Sequence, residues 1–272
     1  MPATEGRDPA VGRDAADLAL LRAAADEAGR EAMAHFGLAI GVAEKPDGQG
    51  PVSAADLAIE RLLRARLVGE RPDYGWLSEE APDDPARLVA ERVFIVDPID
   101  GTRSFLAGRR GFGIALAVAD RAGLAAAVFH MPALSRSYWA RRGGGAWRDG
   151  VALAASRRTT LEGARALTGA AQLSPKLWPG GPPPVARHYR QALAHRLCLV
   201  AEGRFDALIS LREIWEWDAA AGALIAREAG ALVTTRTGAA WAWNSPGRKL
   251  PGIIAAPPAL HRQIMARLGV AT

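Results

Sequence analysis

Residues 93–105 read VFIVDPIDGTRSF. The run 93–96 is continuous, apolar and of strand length, the pattern of a strand buried on both faces. It ends in two carboxylates, Asp97 and Asp100, with Pro98 between them and Gly101-Thr102 after them. Asp-Pro and Asp-Gly are turn pairs, so the stretch reads first as a turn at the end of a buried strand. Pro98 fixes φ and has no N–H to donate, so a sharp change of direction after Asp97 is expected. Such a turn can aim both carboxylates and the Ile99 carbonyl at one point. Gly101 allows close backbone approach. A helix opening at Thr102 would present free N–H groups to an anion. Spacing alone leaves both readings open, a plain turn and half of a metal site.

Other acids stand at comparable places. Glu79 follows the apolar segment 74–77, and Asp218 opens the helical pattern DAAAGALIAREAG. Strand ends and helix starts are where open α/β folds gather their sites. Carboxylates with no histidine or thiolate beside them suit Mg²⁺ or Mn²⁺ better than Zn²⁺. Each segment taken singly is ordinary: SEE at 78–80 as a solvated loop, EWD at 216–218 as a helix cap with an aromatic contact.

Composition narrows the class. The chain has 272 residues, 49% of them hydrophobic, which supports a real core and argues against disorder. Cys198 is the one cysteine, so no internal disulfide framework exists and a reducing compartment is expected. The first dozen residues do not read as a secretory signal. The most apolar stretch, 113–131, is interrupted by Asp120 and Arg121 and is too short on either side to span a bilayer. A cytoplasmic protein without membrane association follows. The formal charge is +5, almost all of the positive charge arginine, with lysine only at 45, 176 and 249. Basic residues cluster only in pairs, at 109–110, 141–142 and 157–158, so nucleic acid is not the expected partner. A positive field favours an anionic small molecule.

Periodicity predicts helices over 14–36, 54–68, 189–202, 218–229 and 259–268, with Ser53 capping the second. Strands are expected over 74–77, 93–96, 113–119, 125–130, 137–141, 165–168, 205–210, 231–235 and 252–255. Polar residues 44–51 read as a loop or hairpin, the Gly-rich and Asp-Gly segments of 142–150 as a hairpin, and WPGGPPP at 178–184 as a surface connector. Mixed runs with an antiparallel middle predict layered sheets and helices. A second section begins near residue 151.

Together these segments resemble the inositol monophosphatase superfamily of Mg²⁺-dependent, lithium-sensitive phosphatases. VFIVDPIDGTRSF is similar to the first signature of that family and WDAAAGALIAREAG to the second. LSEE is similar to its glutamate motif, KPDGQGPVSAAD (45–56) to its N-terminal segment, and GGGAWRDG and LCLVAEGRFDA to further segments. The resemblance covers about residues 14 to 256.

It implies an α/β fold, a five-layer αβαβα sandwich. An N-terminal α+β half (1–150) carries the metal motifs, and a C-terminal α/β half (151–272) closes the site. It implies a first Mg²⁺ on Glu79, Asp97 and the Ile99 carbonyl, a second on Asp97, Asp100 and Asp218, and a third, weaker ion near Glu79. It implies a Thr102–Asp56 pair activating water, with Glu79 sharing the catalytic work. Phosphate would meet the N–H groups of Gly101 and Thr102, with Asp218 and Arg103 also on the substrate. The implied partner is a small phosphorylated metabolite, and the implied assembly a homodimer. LSEE, CLVAEG, EWD and Arg103 point toward the 3′(2′),5′-bisphosphate nucleotidase branch. Inositol-1-phosphate and histidinol phosphate stay open as substrates, as does a non-catalytic binding member of the fold. QALAHRLCLVAEG departs from the Gly-Ser start usual in that segment. His195 stands in the departure, open to a substrate contact or to a structural role.

Overall fold

The computed structural model describes residues 9–38, 40–45 and 51–270. The residues read above as an N-terminal segment, 1–8, and most of the loop read over 44–51 lie outside the described residues. In chain order the elements are α1 (Pro9–His35), β1 (Ala43–Glu44), β2 (Pro51–Val52), α2 (Ala54–Glu70), β3 (Gly75–Ser78), β4 (Arg92–Asp100), α3 (Thr102–Leu106), β5 (Gly113–Asp120), β6 (Gly123–Met131), β7 (Arg136–Arg141), β8 (Ala146–Arg148) and β9 (Val151–Ala152). There follow β10 (Arg165–Leu167), β11 (Ala186–His188), α4 (Leu193–Ala201), β12 (Ala207–Ser210), β13 (Ile214–Trp215), α5 (Glu216–Glu228), β14 (Leu232–Thr234), β15 (Lys249–Leu250), β16 (Ile253–Ala256) and α6 (Pro258–Arg267).

Two large sheets organise the chain. The first has seven strands in the order β3-β4-β5-β6-β7-β8-β9, parallel between β3 and β4 and antiparallel beyond. The second has five, in the order β11-β10-β12-β16-β14, parallel across its first three strands. Strand alternation decides what each face meets. On β4, Phe94 and Val96 join the core under α1 and α2, with Leu21, Ile59 and Leu63. Val93 and Ile95 point the other way, into the core shared with α4, α5 and the inner face of the second sheet. The outer face of that sheet, through Ile209 and Ile254, packs on Leu260 and Ile264 of α6. The result is the layered αβαβα arrangement that the sequence predicts.

Polar groups fix the layers where packing alone would let them slide. Arg92, 3% exposed at the start of β4, donates to Asp17 at 2.6 Å and to Asp14 at 2.7 Å on α1. Glu60 of α2 accepts from Trp76 Nε1 at 2.8 Å and Ser78 Oγ at 2.6 Å on β3. Buried charges of this kind stand only when paired and hydrogen-bonded.

Several expectations need correction. No sharp turn follows Asp97: β4 continues to Asp100 through a bulge, with Asp97 opposite Ala115 and Asp100 opposite Gly113. The extra residue of the bulge accommodates Pro98, whose missing N–H costs nothing where the ladder is interrupted. The helix expected over 189–202 is shorter, Leu193–Ala201, with 189–192 an irregular link from β11 into it. The helix carrying Asp218 starts two residues earlier, at Glu216. Trp178 of the expected surface connector is buried against the outer face of the second sheet.

Candidate active site

The first parallel pair of strands brings two acids side by side. The N–H of Glu79 donates to the Val96 carbonyl at 3.2 Å, extending the β3–β4 ladder by one residue and setting Glu79 next to Asp97. Asp97 is buried in the bulge, where its Oδ1 accepts from the Ile99 N–H at 3.0 Å. Asp218 arrives from the opposite side in the first turn of α5. One oxygen from each of Glu79, Asp97 and Asp218 lies within 4.8 Å of the other two.

A chain of buried polar contacts sets the entry of α5. Arg87, fully buried after β3, donates to Asp83 at 2.6 Å and to the Asn244 side chain at 2.5 Å. Glu216 in turn accepts from the N–H groups of Asn244 (2.6 Å) and Ser245 (2.8 Å). Asp218 stands two residues beyond this anchor, so the geometry of the acid cluster depends on contacts well outside it.

Asp100 lines the same cavity but faces differently. Its Oδ1 accepts from the Leu193 N–H at 3.1 Å and its Oδ2 from the Ala194 N–H at 2.8 Å. The structure therefore brings Glu79, Asp97 and Asp218 together and seats Asp100 at the start of α4, beside them.

The acids of the cluster repel one another. Burial raises the Asp97 carboxyl well above the carboxylate range, and the charges of Glu79, Asp100 and Asp218 add to it. Asp218 is raised well above that range by burial and by Glu79 and Asp100. Asp100 is pushed up to about 7 by burial, against the opposing help of the Ala194 N–H and of Arg196. The neighbouring cation is Lys45, whose Nζ lies 2.5 Å from Glu79 and 2.6 Å from Glu80. Burial alone would lower the Lys45 pKa, but the two glutamates outweigh it and raise it. Crowded oxygen-only donors, one buried and two half-buried, without histidine or cysteine form a set that fits a hard divalent cation.

On the other side of Asp97 stand the residues expected to handle water and phosphate. Asp56 is buried in the first turn of α2 and accepts from the Ser53 N–H (2.8 Å) and Oγ (2.5 Å). Its other oxygen faces Thr102 Oγ1 at 3.4 Å, and the same hydroxyl lies 3.0 Å from the Ile99 carbonyl. Burial raises the Asp56 pKa. Gly101 adopts φ +96°, and a Cβ there would come 3.1 Å from the Gly111 carbonyl. Only glycine takes this conformation at so close an approach. α3 starts at Thr102.

Glu79, Asp97, Ile99, Asp100, Gly101, Thr102, Arg103 and Asp218 all line one cavity of about 220 Å³. His195 does not. It is turned into the core, its ring 6.2 Å from that of Phe129, and burial pushes its pKa down to about 4. The sequence reading gave no role to Arg196, Arg212 and Tyr189, which line the cavity as well. A signal existed for the first: a single charge inside the apolar run LAHRLCLVA. Arg212 and Tyr189 sit in irregular segments whose spacing carries no such mark.

Layered sheets surround a carboxylate cluster whose donors fit a divalent cation, with a hydroxyl–carboxylate pair and a glycine-limited turn alongside. The inositol monophosphatase family model matches residues 15–269, and the chain belongs to that family. A Streptomyces griseus protein named glucose-1-phosphate thymidylyltransferase is 38% identical over 222 residues, 80% of this chain and 85% of its own. An inositol-1-monophosphatase of Rhizobium meliloti is 36% identical, covering 69% and 73%. A 3′-phosphoadenosine 5′-phosphate phosphatase of Mycobacterium bovis is 30% identical, covering 74% and 75%. Among solved structures, a Thermotoga maritima IMPase superposes with a TM-score of 0.79 at 26% identity, covering 95% of this chain and 97% of its own. The chain is thus a phosphoric monoester hydrolase of this family, acting on a small phosphorylated substrate. No helix among the described residues is long and apolar enough to cross a membrane.

Proposed function

We propose that the protein is a Mg²⁺-dependent 3′(2′),5′-bisphosphate nucleotidase, removing one phosphate from a substrate such as 3′-phosphoadenosine 5′-phosphate. The observation that carries the chemistry is the convergence of Glu79, Asp97 and Asp218 oxygens within 4.8 Å, in one cavity with Thr102. The observation that favours a doubly phosphorylated substrate is the cavity wall, which includes Arg103, Arg196 and Arg212. Glu79, Asp97 and the Ile99 carbonyl would hold one ion, and Asp97, Asp100 and Asp218 a second, with Glu79 also helping a third, weaker one. Mn²⁺ suits the same donors. Such ions supply Lewis-acid stabilisation of charge on the phosphoryl oxygens.

The chain's own residues do the rest. The Thr102 hydroxyl, held between Asp56 and the Ile99 carbonyl, orients the attacking water. Asp56, with a pKa raised by burial, receives the proton through that hydroxyl. The N–H groups of Gly101 and Thr102 hold the phosphate. Water attacks phosphorus in line, the P–O bond to the leaving oxygen breaks, that oxygen takes a proton from a second water, and Asp56 returns its proton to solvent, so the products are the alcohol and inorganic phosphate. No phosphoenzyme forms. The same reading puts the enzyme in the cytoplasm as a homodimer, with the site between halves that meet near residue 150.

Inositol-1-phosphate hydrolysis is the second reading, supported by the relative of that name at 36% identity. The test is phosphate release from 3′-phosphoadenosine 5′-phosphate, inositol-1-phosphate and histidinol phosphate, with and without Mg²⁺ and with added Li⁺. Turnover highest on the bisphosphate and sensitive to Li⁺ supports the proposal. Preference for inositol-1-phosphate transfers it to the second reading. No release from any substrate favours a non-catalytic binder.

A further inference from the structure

The cavity has a neighbour of about 210 Å³ on its far wall, lined by Gln172, Tyr189, Ser210, Arg196 and Arg212 among others. Four of these residues, Tyr189, Arg196, Ser210 and Arg212, line both spaces, so the annex adjoins the phosphate cavity directly.

Arg196 is the unexplained group there. It is 8% exposed, on the buried helix α4. Its Nε is buried without a hydrogen-bond partner among the described residues. Its guanidinium lies 5.6 Å from the Tyr189 ring centroid, a cation–π distance, and that contact supplies no hydrogen bond to Nε. Asp100 is the leading counter-charge to it, yet the oxygens of Asp100 meet the N–H groups of Leu193 and Ala194, and no ion pair joins the two side chains among the described residues. A buried guanidinium normally has a carboxylate or another anion on its fork.

Arg212 adds a second positive charge to the same wall. It is close enough to Arg196 to depress that residue's pKa further, after burial itself. Gln172 uses its Oε1 to accept from the Leu211 N–H at 2.7 Å, leaving its NH₂ as a donor. Two arginines, an amide and a serine hydroxyl, with no acid lining the annex, match the donor pattern of a phosphate seat. Arg103, by contrast, lines the phosphate cavity but not the annex.

Resting on the phosphatase reading above, we infer that Arg196 and Arg212 form a second anion seat that holds the phosphate not hydrolysed. This pair, rather than Arg103, selects phosphate monoesters bearing a second phosphate.

Adenosine 3′,5′-bisphosphate and adenosine 3′-monophosphate share a scissile group and differ in the second phosphate, so the Mg²⁺-loaded enzyme is assayed on both. The expected wild-type preference for the bisphosphate in kcat/KM is about 10²-fold. Arg196→Gln and Arg212→Gln should each reduce the bisphosphate value, chiefly through KM, at least about tenfold more than the monophosphate value. Arg103→Gln should not. Equal losses on both substrates, no wild-type preference, or loss of preference in Arg103→Gln alone would overturn the assignment. Arg212 is exposed, so its variant reads the seat even if Arg196→Gln fails to fold. Calorimetric binding of both nucleotides in Ca²⁺ separates the two claims. If nothing is hydrolysed, the phosphatase reading fails, while tighter bisphosphate binding that Arg212→Gln abolishes still supports the seat. Equal binding of the two nucleotides overturns it.

Discussion

Asp100 Oδ2 accepts a 2.8 Å hydrogen bond from the backbone N–H of Ala194, 94 residues further along the chain. The N-cap position of α4 is Ala192, which has no side-chain oxygen to offer. Asp100 supplies from another sheet what a local Ser or Asp would supply in sequence, and its charge favours the positive end of the helix. It thereby ties the end of β4 to the helix that carries Arg196.

Asp100→Ala should therefore destabilise the metal-free protein by about 1–2 kcal/mol, the usual cost of losing a cap. Asp100→Asn, which keeps one acceptor, should cost less. Urea unfolding of the three proteins measures this. An Asp100→Ala protein as stable as wild type would show that the carboxylate serves only the site.

Asp97 should behave in the opposite way. Its charge is buried among Glu79, Asp100 and Asp218. Asp97→Asn removes one of the mutually repelling acids, so the metal-free variant should melt at or above the wild-type temperature. Turnover should fall about 10³-fold or more, roughly 4 kcal/mol of transition-state stabilisation. Near-normal turnover in this variant would sink the metal-site assignment.

The contrast between these two aspartates bears on what could be read from sequence. VFIVDPIDG announces a strand buried on both faces and two acids at its end. Period and punctuation are local, so they carry that much. They do not carry the bulge, because Pro98 permits either a turn or an interrupted ladder, and pairing with β5 decides. They do not show that Asp100 turns to α4, because that partner lies across the chain. The early start of α5 has the same cause: Glu216 is held by Asn244 and Ser245. Arg196 was visible as a charge in an apolar run, but what a buried charge faces is a property of the assembled walls.

Raised carboxyl pKa values make stability depend on pH with a definite sign. A carboxyl that titrates higher folded than unfolded contributes stability that is fully present below its unfolded pKa and is lost as pH rises through its folded one. For Asp100 and Glu80, both pushed up to about 7, the window runs from about pH 4 to above pH 7. Mg²⁺ bound to the ionised cluster reverses the loss by mass action. The rise in melting temperature on adding saturating Mg²⁺ should thus be larger at about pH 8 than at about pH 5. An equal rise at both values would mean that the acids do not bind the ion in their charged form. Asp97→Asn should flatten the difference.

Thr102 and Asp56 offer the sharpest separation of chemistry from binding. The hydroxyl sits 3.4 Å from Asp56 Oδ1 and 3.0 Å from the Ile99 carbonyl, so a single proton donor is shared between a candidate base and a candidate metal ligand. If Asp56 draws a proton from water through this hydroxyl, the side chain must keep its oxygen but not its methyl. Thr102→Ser should retain most turnover. Thr102→Val, nearly the same shape, should lose about 10²–10⁴-fold in kcat with little change in KM. Asp56→Asn should lose a similar factor, although Ser53 would still hold it in place. Residues acting as one unit give non-additive losses, so the double variant should be scarcely slower than either single one. The acid limb of the wild-type pH–rate profile should lie above the ordinary aspartate range, because burial raises the Asp56 pKa, and activity should grow as pH rises through it. Fully additive losses, or an acid limb unchanged in Asp56→Asn, would assign the proton to another group.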